Sequence, residues 1–296
     1  MLGAVATPSR IAFAASREFL DLDEEWPLVR DALARRAISA EIVMWNDPSA
    51  DWSRFAGVVV NYAWGYISDR DGFLDFAEAV ARTTPVLNPP AALRWNSAKT
   101  YLAELEQAGL AIIPTTFLSP GDPFRAPDDE FVVKPAVSSG GTGAARYRKS
   151  EPGVAEAHVA RLHAAGQEVL VQPYQHGIDE AGETALLYLD GEYSHAITKH
   201  AILEADGGEP ERLWERTRHV PTTARADQRE LADAALAEAG RYGELCYGRV
   251  DLVDDPDGKP QILEVEIIEP RLFFPDAVAA QRFADAIARR VGAGVA

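Results

Sequence analysis

Cysteine is almost missing. Cys246 is the single one in 296 residues, which excludes an internal disulfide framework and a cysteine-based zinc site. No apolar run approaches the roughly 20 residues that span a bilayer, so no membrane partner is expected. The first residues, MLGAVATPSR, lack the basic and apolar regions of a signal peptide, and the expected location is the cytoplasm. Positive charge is scarce: 29 lysines and arginines face 46 aspartates and glutamates, a formal net charge of −17. So acidic a chain repels a nucleic-acid backbone, which excludes that partner, and any phosphate it binds must meet a local group of cations. Missing motifs exclude more. No G-x-S-x-G supports a serine hydrolase. No G-x-G-x-x-G follows the first strand, which speaks against an NAD-dependent dehydrogenase, and Gly141-Thr142-Gly143 meets Arg146 where a further glycine would be needed. The six histidines show no zinc spacing.

What is there alternates. RIAFAAS (10–16), AEIVMW (40–45) and FAGVVVNY (55–62) read as buried strands. Helical spacing over roughly 24–37 and 73–82 separates and follows them, the pattern of a parallel α/β sheet. PVLNPP (85–90) breaks it, and a domain edge is expected near residue 93. Beyond it, NSAKTYLAELEQAG (96–109) reads as one helix capped by Asn96 and ended by Gly109. Strands are expected at AIIPTTFLSP, EFVVKP and EVLVQPY, with a helix over 153–166 between the last two. Residues 183–200 and 247–268 read as hairpins turning at Asp190-Gly191 and Asp257-Gly258. Residues 204–222 read as loop, and 227–243 and about 275–291 as helices.

Two stretches carry chemistry. In EFVVKPAVSSGGTGAARY, a buried strand ends on Lys134, which is costly unless its ammonium meets an anion. The Ser/Gly tract that follows leaves backbone N–H groups free to wrap phosphate oxygens. The lysine precedes the glycines, so this is not a Walker A loop. In the second hairpin, Glu264 and Glu266 point to one face, and the turn folds Asp251 toward the same surface. Val250, Leu252, Leu263, Val265 and Ile267 are expected on the opposite, apolar face. Three carboxylates on one patch repel unless a cation offsets them, and hard oxygens so placed suit Mg²⁺ held together with substrate phosphates. Arg249 and Lys259 are placed to neutralise part of the patch. Lys99, in the first turn of a helix, and Lys199, at a strand end, are further cations that seek an anion.

In order and spacing, a lysine in a helix turn, a strand-Lys-Pro-glycine loop, Gln-x-Tyr after a strand and D…E-x-E on a hairpin together resemble the ATP-grasp superfamily. NPPAALRWNSAKTYLAELEQAG, FVVKPAVSSGGTGAARY, GETALLYLDGEYSHAITK and EVEIIEP resemble its small glutathione-synthetase-like members, a group that includes a D-cycloserine-forming cyclo-ligase. The likeness covers about residues 86–275. It implies a mixed α/β and α+β chain, with a Rossmann-like pre-ATP-grasp domain at 1–93 and an ATP-grasp domain at 94–296. The latter divides into a small lobe at 94–170 and a C-terminal lobe at 171–296. The resemblance further implies that Lys99 and Lys134 hold the phosphates of ATP beneath a lid at 138–143, which includes Ser138, Ser139, Gly140 and Gly141. Gln172, Pro173 and Tyr174 form a hinge facing adenine, with Leu263 packed beneath it. Glu183 takes the ribose hydroxyls, and Lys199 reaches the phosphates from the floor. Asp251, Glu264 and Glu266 carry two Mg²⁺ ions, with Mn²⁺ as a substitute, and Arg218 or Arg271 steadies an acyl phosphate.

The implied activity is an ATP-dependent carboxylate–amine ligase acting on a small amino-acid-like molecule, by ring closure or by joining two molecules. A non-catalytic nucleotide-binding module is the other use of such a fold. A homodimer is left open. Departures fall on the substrate side: Glu266 stands where relatives commonly have Asn, Ala185 where a substrate-facing arginine is found, and Arg271 where small or acidic residues are usual. Asn61 and Gly65 replace the charged residues of an Arg-x-x-Trp-Asp-Tyr element in NYAWGY (61–66).

Overall fold

The computed structural model describes residues 9–17, 25–150, 152–200 and 218–292. Ser9–Ala15 (β1), Ile38–Met44 (β2), Gly57–Tyr62 (β3) and Val86–Leu87 (β4) form a parallel sheet in the order β2-β1-β3-β4. Residues 11–15 of β1 are wholly buried, as an uninterrupted apolar strand covered on both faces must be. Ile11, Phe13 and Ala15 join one core with Trp26–Ala34 (α1), while Ala12 and Ala14 join another with Arg70–Ala81 (α2). PVLNPP breaks the alternation only after contributing β4, and the chain then turns at Asn88, whose φ is 73°.

The helix expected over 96–109 is two helices, Pro90–Asn96 (α3) and Tyr101–Gln107 (α4). Asn96 closes the first and caps nothing. Its Nδ2 donates to the Val265 carbonyl (2.7 Å) and its Oδ1 accepts from the Ile267 amide (3.0 Å). Lys99 therefore lies in the bend between the helices, where its amide donates to the Ala136 carbonyl at 2.7 Å. Gly109 does end α4 in the left-handed region, at φ 83°.

Thr116–Leu118 (β5), Phe131–Pro135 (β6), Ala145–Tyr147 (β7) and Val169–Pro173 (β8) make a small antiparallel sheet in the order β5-β8-β6-β7. Pro152–Ala164 (α5) covers it with Val159 and Leu162, giving this sheet a core of its own. The glycine tract links β6 to β7, a strand too short and too mixed to be foreseen.

The third sheet contains Glu183–Leu189 (β9), Glu192–Lys199 (β10), His219–Thr222 (β11), Tyr247–Asp254 (β12) and Pro260–Glu266 (β13), in the order β11-β10-β9-β12-β13. Gly177–Ala181 (α6), Ala226–Ala239 (α7) and Ala277–Arg290 (α8) complete the chain. The first hairpin turns on Asp190 (φ 55°) and Gly191 (φ 79°) as expected. The second uses a longer loop, 255–259, with Gly258 at φ 79°. Part of the expected loop 204–222 is β11, an exposed edge strand, and 201–217 lie outside the described residues.

Alternation sorts the two faces of this sheet. Leu186, Tyr188, Val250, Leu252, Ile262 and Val265 share one core with α4 and α7. Ala185, Leu187, Leu189, Ile197 and Tyr247 pack instead into the core that also holds β1, α1 and α8. Leu263 departs from expectation. Asp251 pairs with Glu264, but Leu252 pairs with Ile262, so Leu263 is the extra residue of a bulge. Ile262 takes its place in the core, and the bulge re-aims Leu263. Among the described residues no helix is long and apolar enough to cross a membrane.

Candidate active site

Where the face of the third sheet that packs on β1 runs beyond its apolar core, charge begins. β9 contributes Glu183, β10 Lys199, β12 Arg249 and Asp251, and β13 Glu264 and Glu266, because residues two apart share a face. Lys199 and Glu183 are direct neighbours across β9 and β10. Lys199 Nζ lies 2.6 Å from Glu183 Oε1 and 2.7 Å from Asp251 Oδ2. Arg249 Nε reaches Asp251 Oδ1 at 2.8 Å, and its Nη2 bridges Asp251 Oδ2 (3.0 Å) and Glu266. Its Nη1 is tied to the Arg271 carbonyl at 3.0 Å. Lys99 closes the row, with Nζ 2.9 Å from Glu264 Oε1 while donating to the carbonyl (2.8 Å) and hydroxyl (3.1 Å) of Ser138. One ammonium thus spans the glycine loop and the acidic strand.

Burial opposes the charge on Lys199 and on Asp251. Asp251 and Glu183 outweigh it and raise the Lys199 pKa; Arg249 and Lys199 outweigh it and lower that of Asp251. Glu264 is likewise lowered, by Lys99 and Lys134 against burial. Burial wins at Glu183, which is raised, and at Glu266, pushed up to about 7 despite Arg249. Lys134, 7% exposed, forms no ion pair among the described residues. Burial pushes its ammonium down to about 8, with Glu264 pulling upward and Lys99 downward.

The loop residues Ser138, Ser139, Gly140 and Gly141 cross this cluster, with Gly140 and Gly141 at φ 59° and 77°. A narrow cleft lies beneath them, walled by Lys99, Glu264, Glu266, Glu269 and Tyr66. Gln172 and Pro173 are laddered only to β6, whereas Val171 also pairs with β5, so the sheet opens beside them. The Tyr174 amide is taken by the Glu130 carbonyl (2.8 Å), and its hydroxyl donates to Asp179 (2.5 Å). The structure therefore leaves that amide unavailable to a base. Arg218 is exposed and Arg271 half-buried over the Phe273 ring, 5.2 Å away; among the described residues neither pairs with the carboxylates. Lys259 sits at the hairpin turn, its amide bound to Asp255. Of the two cations expected to offset the acids, Arg249 does so and Lys259 does not.

Arg249, Tyr66 and Glu269 were not singled out as site residues from the sequence. The alternation Arg249-Val250-Asp251 held the signal for the first. The other two are brought to the cleft by contacts between distant segments. A larger surface cleft near Pro85 and Asn88 lies by the opposite end of β9, where Asp190 pairs with Arg289 and Arg290.

Among the described residues no three carboxylate, histidine or cysteine side chains converge to hold a metal ion unaided. Each acid is drawn to a cation instead. The donor set still fits Mg²⁺, which takes one or two carboxylates together with phosphate oxygens rather than a protein cage. The Glu264 and Glu266 side chains remain 25% and 26% exposed, against 2% for Asp251.

A row of lysines facing carboxylates, between two antiparallel sheets beside a parallel one, is the architecture of the ATP-grasp ligases. The crystal structure of D-alanine–D-alanine ligase from Bacillus anthracis complexed with ATP shares the fold, with a TM-score of 0.64 over 96% of this chain and 97% of that one, at 13% identity. The crystal structure of D-cycloserine synthetase DcsG matches with a TM-score of 0.88 and 37% identity, over 96% of this chain and 100% of that one. The cycloserine biosynthesis protein DcsG of Streptomyces lavendulae is 39% identical over 305 residues, 95% of this chain and 98% of that protein. Residues 11–88 match the family model of the D-cycloserine synthetase DcsG N-terminal domain. The chain belongs to the DcsG family of ATP-grasp ligases.

Proposed function

We propose that the protein uses ATP to activate the carboxylate of a small amino-acid-like molecule, and that an amine-type nitrogen of the same molecule then closes a ring. A carboxylate oxygen takes the γ-phosphoryl group and ADP leaves. The nitrogen attacks the acyl carbon of the resulting acyl phosphate, loses a proton and expels phosphate, forming the acyl–nitrogen bond. Ring closure is favoured over joining two molecules by the likeness to a D-cycloserine synthetase, whose product is a cyclic acyl–nitrogen compound.

The observation that carries this is the exchange the charge row permits. Lys99, Lys199 and Arg249 face carboxylates that a divalent ion would draw off, which would free them for phosphate oxygens, while Lys134, without an ion pair among the described residues, can meet one directly. Glu264 and Glu266, with Asp251 behind them, would hold Mg²⁺, or Mn²⁺ in its place, as one or two ions. The metal supplies neutralisation of phosphate charge. Lys99 ties the loop 138–143 to the acid strand, and that loop would shield the acyl phosphate from water. Gln172 and Pro173 would offer the open sheet edge to adenine, Leu263 would pack beneath it, and Glu183 would take the ribose hydroxyls. Within the lobe at 94–170, the sheet of β5 to β8 with α5 has a core of its own and is the part expected to move against the rest. Arg271 or Arg218 would steady the acyl phosphate.

The test is Mg²⁺-dependent ADP formation with aminooxy and ureido derivatives of D-serine supplied singly. For the aminooxy compound, a product lighter than the substrate by one water supports ring closure. ADP formation only when a separate amine is added would refute it, and no ADP with any amino-acid derivative would remove the substrate class.

A further inference from the structure

The cleft has a second wall that the phosphate chemistry does not use. Tyr66, from the 3-10 turn Trp64–Asp69, lines it with Glu266 and Glu269. Its side chain is 96% withdrawn from solvent by its relative exposure of 4%, and among the described residues its hydroxyl has no hydrogen-bond partner. Glu269 is the matching orphan. Ser139 of the loop above lines the same cleft. No cation forms an ion pair with it among the described residues, although Asp251, Glu264 and Glu266 each have one. Both groups are held in place by their backbones. Trp64 Nε1 donates to the Glu269 carbonyl at 3.0 Å, Asn61 Nδ2 to the Pro270 carbonyl at 2.7 Å, and the Gly65 amide to Ser16 Oγ at 3.0 Å.

A half-buried carboxylate without a cation is costly to keep charged, and a phenol hydroxyl at the cleft wall without a protein partner is open to a ligand. One ligand relieves both: a cation that carries its own N–H donors. A divalent ion satisfies only half of this, because a neutral phenol is not among the oxygens it takes. We propose that Glu269 and Tyr66 form the ammonium subsite for an α-amino-acid-type substrate, Glu269 pairing with the charge and Tyr66 Oη accepting a second N–H. The assignment rests on the ring-closing ligase reading above. It gives the small N-terminal sheet a direct part in substrate selection, since Asn61 and Trp64 fix the wall that Tyr66 completes.

The experiment is calorimetric titration of the full chain, with Mg²⁺ and ADP present, using D-cycloserine and isoxazolidin-3-one, the same ring without its amine. D-cycloserine should bind at least tenfold more tightly. Glu269→Gln should erase that preference, Glu269→Asp should restore part of it, and Tyr66→Phe should lower it severalfold. A rise in unfolding temperature on adding Mg²⁺ and ADP shows that each variant is folded, and the wild-type comparison of the two rings needs no variant. Equal affinity for both rings, or a preference that survives Glu269→Gln, overturns the subsite alone. So does a preserved preference with weakened Mn²⁺ binding, which would make Glu269 a metal ligand. No heat from either ring removes the ring-closure reading together with the subsite.

Discussion

Replacing Lys134 with methionine should make the protein more stable and less able to bind ATP. The ammonium ends β6 in a buried position without an ion pair, and burial lowers it from 10.5 to about 8. At roughly 1.4 kcal/mol per pH unit, keeping that charge in the fold costs about 3 kcal/mol. The sign follows from proton counting. Below pH 8 the lysine is charged in both folded and unfolded chains, and the cost is fully present. Between about 8 and 10.5 the unfolded chain holds more protons, so wild-type stability rises with pH, and above 10.5 the cost is gone. Lys134→Met removes the charge while keeping the apolar stem, so it should gain about 3 kcal/mol at pH 7 and almost nothing at pH 10.5. Losing a charge-assisted phosphate contact, worth about 1.5–3 kcal/mol, should weaken ATP about tenfold to a hundredfold. Urea unfolding at several pH values, with ATP titration beside it, measures both. A variant less stable than wild type at pH 7, or a gain that does not change with pH, would refute the reasoning.

Because kcat/KM for ATP reports groups of the free enzyme, it should fall above about pH 8 as Lys134 deprotonates, and Lys134→Arg should move that fall beyond pH 10; a flat profile to pH 10 in the wild type counts against a charged Lys134. Arg249→Leu strips Glu266 of its partner and Asp251 of one of two, and should cost about 3–5 kcal/mol in urea unfolding and abolish ADP formation. Arg249→Lys should recover little, since one ammonium does not span both acids as the guanidinium fork does; unchanged unfolding midpoints in either variant would contradict this. At Gly182, φ is +74° and a Cβ would lie 2.4 Å from the Lys199 carbonyl, so Gly182→Ala should cost at least about 1–2 kcal/mol and raise the KM for ATP by displacing Glu183 and Lys199, whereas wild-type kinetics would show that the β9–β10 register tolerates the shift.

The parallel sheet was legible because its strands are short, apolar and separated by helical spacing. The Asp190-Gly191 turn was legible, as were the second hairpin if not its longer loop, the lysine at the end of β6, and the acids on β13, because a period of two tells which residues share a face. Local rules failed where distant segments decide. Asn96 has the chemistry of a cap but serves the Val265 and Ile267 backbone. A single helix at 96–109 is broken because the Lys99 amide bonds to Ala136 on another sheet. Leu263 obeys alternation in sequence and is thrown off it by a one-residue bulge. Arg249 was visible as a cation near acids, but only the register shows it bridging two of them. Tyr66 and Glu269 lie in motifs quoted from the sequence, NYAWGY and EVEIIEP, but nothing local shows that they meet, since their segments are about 200 residues apart.

The last helix has a bearing on how the chain comes off the ribosome. α8 lies against α1, with Arg36 and Asp285 paired at 2.7 Å across 249 positions, and its Phe283 and Ile287 share the core of Ile11 and Phe13. The parallel sheet is therefore left with one apolar flank bare until α8, 249 positions beyond Arg36 at Asp285, has followed it off the ribosome. Until then that flank must be kept from sticking to its neighbours, which makes it, rather than the ATP site, the natural client for a chaperone.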